Sequence, residues 1–187
     1  MRNILKTLVV FVAALALTNC APSLHPFFTE KDIVFNDALL GEWINESGEK
    51  CKFTKSDDNY YEFLFVDEAP ARFKARLIEL GGAMYLDLYP EDLDRSLGSY
   101  SANLVRAHTL ARVSITKDSI SIAMMDGDWL NKLRDRNQLD LAHERLAGGE
   151  IVLTAPTREL QAFVVKHADD KKMFVDPDVF RHHAADK

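Results

Sequence analysis

Arg72-Phe73-Lys74-Ala75-Arg76-Leu77-Ile78-Glu79-Leu80-Gly81-Gly82-Ala83-Met84-Tyr85-Leu86-Asp87-Leu88-Tyr89 is the stretch whose reading decides the fold class. Phe73, Ala75 and Leu77 alternate with Arg72, Lys74 and Arg76, and Met84, Leu86 and Leu88 alternate with Tyr85, Asp87 and Tyr89. A period of two puts one set on each face of a strand. Gly81-Gly82 between them accepts positive φ without steric cost, as a tight hairpin turn requires. The stretch therefore predicts an antiparallel β-hairpin with one apolar face.

The same pattern extends in both directions. Upstream, Leu40-Gly41-Glu42-Trp43-Ile44 reads as a first strand, Asn45 to Gly48 as a turn, and Cys51 and Phe53 as the inner face of a second. Lys55 to Asn59 is a polar break, after which Tyr61, Phe63 and Phe65 share one face and Tyr60, Glu62 and Leu64 the other. Downstream, residues 90–105 interrupt the pattern. Val113 and Ile115, a turn over Thr116 to Ser119, and Ile120, Ile122 and Met124 form a second hairpin, and Ile151-Val152-Leu153 is a last strand. Two helices are expected late. One is capped by Asp126 or Asp128 and runs, with a break near Asn137, toward Leu146 and Gly148-Gly149; the other starts near Pro156 and carries Leu160, Phe163, Val164 and His167 on one stripe. About eight meandering strands with short connections predict a mainly β fold with minor α. The expected form is a closed or partly open antiparallel barrel, which removes exposed strand edges, with a β-sandwich as the alternative.

The N-terminus has a different composition. Arg2 and Lys6 precede ten apolar residues, Leu8 to Leu17. As a helix these rise about 15 Å, half of what a membrane span needs. Residues 1–19 therefore read as a signal peptide. Leu17-Thr18-Asn19-Cys20 resembles the lipobox of bacterial lipoproteins, in which the cysteine becomes the first residue and is diacylated; Asn19 departs from the Gly, Ala or Ser usual there. Ala14-Leu15-Ala16 offers an ordinary secretory cut instead. By resemblance to the lipoprotein class, Ala21 after the cysteine implies sorting to an outer membrane, facing the periplasm. The expected organisation is a lipidated tether over 20–37, where Pro22 and Pro26 resist regular structure, a single β-rich domain over 38–170, and a polar tail over 171–187.

Removing residues 1–19 takes away Arg2 and Lys6 and no acid, so the charge moves from −6 to −8 over the remaining 168 residues. That length suits one domain with a core. An acidic body with no basic block excludes nucleic acid as a partner. Acylation of Cys20 leaves Cys51 single, a small buried apolar residue beside Phe53 or a thiol activated by Lys50 and Lys52. Cleavage after Ala16 would free Cys20 to pair with Cys51, closing a loop of about 30 residues, worth ~3 kcal/mol.

Gly41-Glu42-Trp43 resembles the G-x-W motif of lipocalins, which implies a barrel whose floor the tryptophan closes. Longer strings, Cys20-Ala21-Pro22-Ser23-Leu24-His25-Pro26, Leu39-Leu40-Gly41-Glu42-Trp43, Asp87-Leu88-Tyr89-Pro90-Glu91, Ala142-His143-Glu144-Arg145-Leu146 and Ile151-Val152-Leu153-Thr154-Ala155-Pro156-Thr157, are similar to a group of uncharacterised bacterial lipoproteins. That likeness implies an envelope address and no activity.

The chemical motifs are incomplete. His143-Glu144 would need a histidine at 147 for a zinc helix, and Ala147 stands there. Gly98-Ser99-Tyr100-Ser101 lacks the spacing of a nucleophile elbow. Asp126-Gly127-Asp128 lacks the Glu that an EF-hand requires at 137, where Asn stands. Glu91, Asp92 and Asp94 read as a solvated acidic loop, and His182-His183 as tail. No metal or cofactor is expected. The aromatics Trp43, Tyr61, Phe63, Phe65 and Tyr85 are core candidates, and in an eight-stranded barrel they could instead face one small apolar ligand. The expected function is a lipid-anchored, non-enzymatic binding or interaction module for such a ligand or for an envelope protein. The alternative is an envelope hydrolase or metal-dependent enzyme, which needs His108, His143, His167 or acids converging in space.

Overall fold

The computed structural model describes residues 20–56, 59–66, 70–91 and 104–183. The expected signal peptide over 1–19, the carboxylates Asp92 and Asp94 and the Gly98–Ser101 segment lie outside them. Eight strands close an antiparallel barrel. In chain order they are β1 (Gly41–Asn45), β2 (Lys50–Lys55), β3 (Tyr61–Val66), β4 (Pro70–Leu80), β5 (Ala83–Pro90), β6 (Thr109–Ile115), β7 (Ser119–Met124) and, after a short separate pair β8 (His143–Arg145) and β9 (Ile151–Leu153), β10 (Asp178–His182). β1 to β7 form the meander, and β10 inserts between β7 and β1. Among the described residues there are two α-helices, α1 (Gly127–Asp135) and α2 (Thr157–His167).

The hairpin forms as its alternation demands. β4 and β5 pair from Phe73 opposite Pro90 to Leu80 opposite Ala83. Gly81 and Gly82 turn at φ of 59° and 80°. Ala75, Leu77, Leu86 and Leu88 face the lumen with Trp43, Cys51, Phe53, Tyr61, Phe63, Ala111, Val113, Ile120 and Phe180. The opposite faces of β4 to β6 carry a second core outside the barrel. There Ile78, Leu80, Tyr85 and Leu110 meet Trp129 and Leu130 of α1 and Leu160, Phe163 and Val164 of α2. This outer core explains why strands of a barrel wall carry apolar residues on both faces.

Four expectations are corrected. Asp178–His182, expected within a frayed tail, is the strand that closes the barrel. Its Phe180 is 2% exposed, and the strand pairs with β7 on one side and β1 on the other. The Ile151–Leu153 strand is not in the barrel; it pairs with His143–Arg145, a segment expected to be helical. The helix stops first because Asn137 takes a left-handed conformation at φ 55°, and its N–H bonds back to the Arg134 carbonyl at 2.8 Å. Gly148-Gly149 accordingly belongs to the β8–β9 turn, where the Gly149 N–H meets the Leu146 carbonyl. Finally, the segment expected as a tether is laid on the barrel over residues 20–36. Ser23 and His108 exchange two backbone bonds of 2.8 Å, Leu24 N–H reaches the Leu153 carbonyl, and Val34 N–H reaches the Leu77 carbonyl. The segment is a strap laid across the outer wall, with Ala21, Ser23 and Phe27 buried beneath it. It leads into a 3-10 turn, Asp37–Leu39.

The expected capping and helix starts hold. Asp126 accepts the Asp128 N–H at 2.8 Å to begin α1, and Pro156 immediately precedes α2.

Candidate functional site

The lumen is the first place to look for a ligand in a small barrel. Its end is shut by the Asp37–Leu39 turn, with Leu39 fully buried. Trp43 lies against that turn and donates its indole N–H to the Leu39 carbonyl at 3.0 Å. Gly41 is required two residues earlier. Its φ is +123°, and a Cβ there would sit 2.9 Å from the His182 ring, which itself packs on Trp43 at 4.3 Å. Four of the five aromatics singled out from sequence are brought together here. Trp43, Tyr61 and Phe63 are buried, Phe65 is partly buried, and all four belong to the lumen cluster. They pack on neighbouring rings: Phe53 stacks on Phe63 at 4.4 Å, Tyr61 on Phe35 at 4.8 Å, and Phe65 meets Phe180 edge-on at 6.4 Å. The Tyr61 hydroxyl is satisfied by the Asn36 backbone, accepting its N–H at 2.7 Å. Tyr85, the fifth, is on the other side of the wall. It faces α1 and α2, because on β5 its neighbour Leu86 takes the inward position.

One stretch of the wall between β5 and β6 is unladdered. β5 and β6 pair only over Tyr85–Leu88 and Thr109–Arg112, leaving Ala83-Met84 and Val113 to Ile115 unladdered with each other. A solvent-open hollow of about 370 Å³ lies there, lined by Asn36, Met84, Val113 and Ile115 among others.

The two cysteines are free and lie apart. Cys20 is exposed at the start of the strap, in a bridge with Asp126 at the mouth of α1. Cys51 faces the lumen between Trp43 and Phe65 in register. Burial pushes its thiol up to about 12, so the flanking lysines, which point outward, do not activate it. In the folded protein at pH 8, Cys51 is expected to resist a maleimide reagent that labels it completely in denaturant; rapid labelling under native conditions, read by mass, would refute the buried lumen position. Stability should also decline as pH rises above the ordinary thiol range toward 12, since the unfolded chain ionises this thiol first.

The histidines occupy separate settings. His143 sits on β8, its Nδ1 2.7 Å from the Leu141 carbonyl. His167 ends α2 against Phe163 at 4.5 Å and Trp129 at 5.3 Å, and burial lowers its proton affinity. His108, just before β6, is the one that meets an acid. Its Nδ1 donates to Asp87 Oδ1 at 2.7 Å, while Asp87 Oδ2 accepts the Phe27 N–H at 2.8 Å. Asp87 is 1% exposed. Ser23 is close through its backbone, but its hydroxyl donates to the His25 carbonyl, so no Ser–His–Asp relay forms. Asp87–His108 is therefore a clasp holding the strap to the wall. Sequence reading placed Asp87 on the outward face of β5, which usually means solvent. Only its position among apolar neighbours that exclude water could have marked it. Among the described residues, no three metal-ligating side chains gather. Comparisons with protein-family models, curated proteins and solved structures return no match for this chain.

Proposed function

We infer that this chain is a lipid-anchored protein of the bacterial envelope, acting as a non-enzymatic interaction module held through Cys20 at an outer membrane, facing the periplasm. The observation that carries this reading is the strap. Ala21 is buried and Ser23 is laddered to His108, so acyl chains on Cys20 would hold the barrel itself at the bilayer with almost no slack. Lipid anchoring needs more than one chain to be stable, which diacylation or triacylation supplies. Leu24 and Val105, 46% and 76% exposed, lie within a few residues of the Ser23–His108 ladder and offer apolar contact beside the anchor.

The test is intact mass spectrometry of the membrane fraction. The expected species begins at Cys20 and carries acyl mass, and Cys20→Ser loses both the acyl mass and membrane retention. A mature protein beginning at Leu17 without acyl mass would overturn the anchor. A second reading, a small apolar ligand, is supported by the unladdered stretch between β5 and β6 and the hollow beside it. Native mass spectrometry of envelope-purified protein should then retain an additional small-molecule mass.

A further inference from the structure

A different part of the wall collects cations and aromatic rings. On the outer face of β4, Lys74 and Arg76 both lie over Tyr60, at 5.0 and 4.7 Å from its ring centre. Arg76 also lies 5.8 Å from the ring of Phe28 on the strap. Across the β4–β5 ladder Lys74 is opposite Tyr89, and Arg106 stands over that ring at 5.3 Å. His108 packs on the same ring, at 4.6 Å between centres.

Glu62 is opposite Lys74 across the β3–β4 ladder, but these cations form no ion pair among the described residues. The pairs there are Lys52–Glu42, His108–Asp87, Arg134–Asp135 and Lys166–Asp140, so Lys74, Arg76 and Arg106 are in none. Asp87 is directly opposite Arg76 in register, and its hydrogen bonds among the described residues go to Phe27 and His108. The Nε and Nη1 atoms of Arg76 are shielded from solvent and have no hydrogen-bond partner among the described residues. A guanidinium carries five donors in a rigid fork, and leaving them unmet in a desolvated place is costly.

We propose that this patch is an anion-binding site, in which Arg76 and Lys74 hold a phosphate group beside Tyr60, with Arg106 at the rim. The rings exclude water around the guanidinium and strengthen its bonds to an anion. A carboxylate fills only the planar fork. A tetrahedral phosphate has further oxygens for the ammonium of Lys74, which approaches the same ring. Two sources share this chemistry, a soluble phosphate or its ester and a lipid headgroup phosphodiester. Phe28 is eight residues from Cys20, at most about 29 Å of extended chain. The headgroup source rests on the anchor inferred above; binding itself does not.

The experiment is a titration of the full-length protein, watched through the Arg76 Nε–H and Tyr60 ring signals in NMR. Three probes are used: inorganic phosphate, glycerophosphoglycerol as a headgroup without acyl chains, and acetate. Saturable shifts with either phosphorus compound are expected, with acetate at least ten-fold weaker. The tighter of the two phosphorus probes identifies the source. Arg76→Gln should weaken binding at least ten-fold and the more exposed Lys74→Gln several-fold, both with unchanged thermal unfolding. Absence of saturable shifts, acetate binding as tightly as phosphate, or undiminished affinity in folded Lys74→Gln and Arg76→Gln proteins would each overturn the site.

Discussion

Ending the chain at Pro177 is expected to abolish cooperative folding. The deletion removes β10, whose register joins Phe180 to Ile120 on β7 and to Asn45 on β1. A closed barrel has no edges; without this strand, β1 and β7 both present unpaired N–H and C=O groups. The lumen also loses Phe180, and Trp43 loses the His182 ring that lies 4.3 Å away. Phe180→Ala alone should cost about 3–5 kcal/mol, the usual range for emptying a buried phenylalanine site. The truncation should do more, because it removes backbone pairing as well. Thermal and urea melts followed by circular dichroism read both effects. A truncated chain that melts sharply near the full-length temperature would show that the barrel does not depend on its last strand.

Asp87→Ala is the second large effect expected, about 3 kcal/mol. It leaves the buried Phe27 N–H without an acceptor and the partly buried His108 without its acid. Each buried donor left unmet costs about 1–3 kcal/mol. The damage should be local first. Amide exchange at Phe27 and Ser23 should accelerate more than exchange at Leu77 or Leu86 in the wall. Asp87→Asn, which still presents an oxygen to Phe27, should recover part of the loss. Uniform acceleration across wall and strap would mean that Asp87 supports the barrel and is not a clasp.

The wall was readable because β3, β4 and β5 alternate strictly, and a period of two leaves little choice about which side chains turn inward. Cys51 beside Phe53 and the Asp126 cap were readable for the same local reasons. β10 was not, since Asp178-Val179-Phe180-Arg181-His182 buries only Phe180 among four exposed residues. One buried side chain per strand makes no pattern. His143–Arg145 carries no strand pattern because it has no inward apolar residue, and its conformation comes from pairing with β9. The lumen aromatics were legible as a group except Tyr85, whose outward position became core only because two helices cover it.

The sequence by itself determined the meander, its turns, the inward set of each long strand and the distinct character of the first nineteen residues, all of which depend on neighbours a few positions apart. Tertiary structure alone decided the closure, the strap and the clasp. Those join residues as distant as Phe27 and Asp87, or Asn45 and Phe180, and such pairings form only when the burial of the whole barrel compensates the entropy of bringing remote segments together.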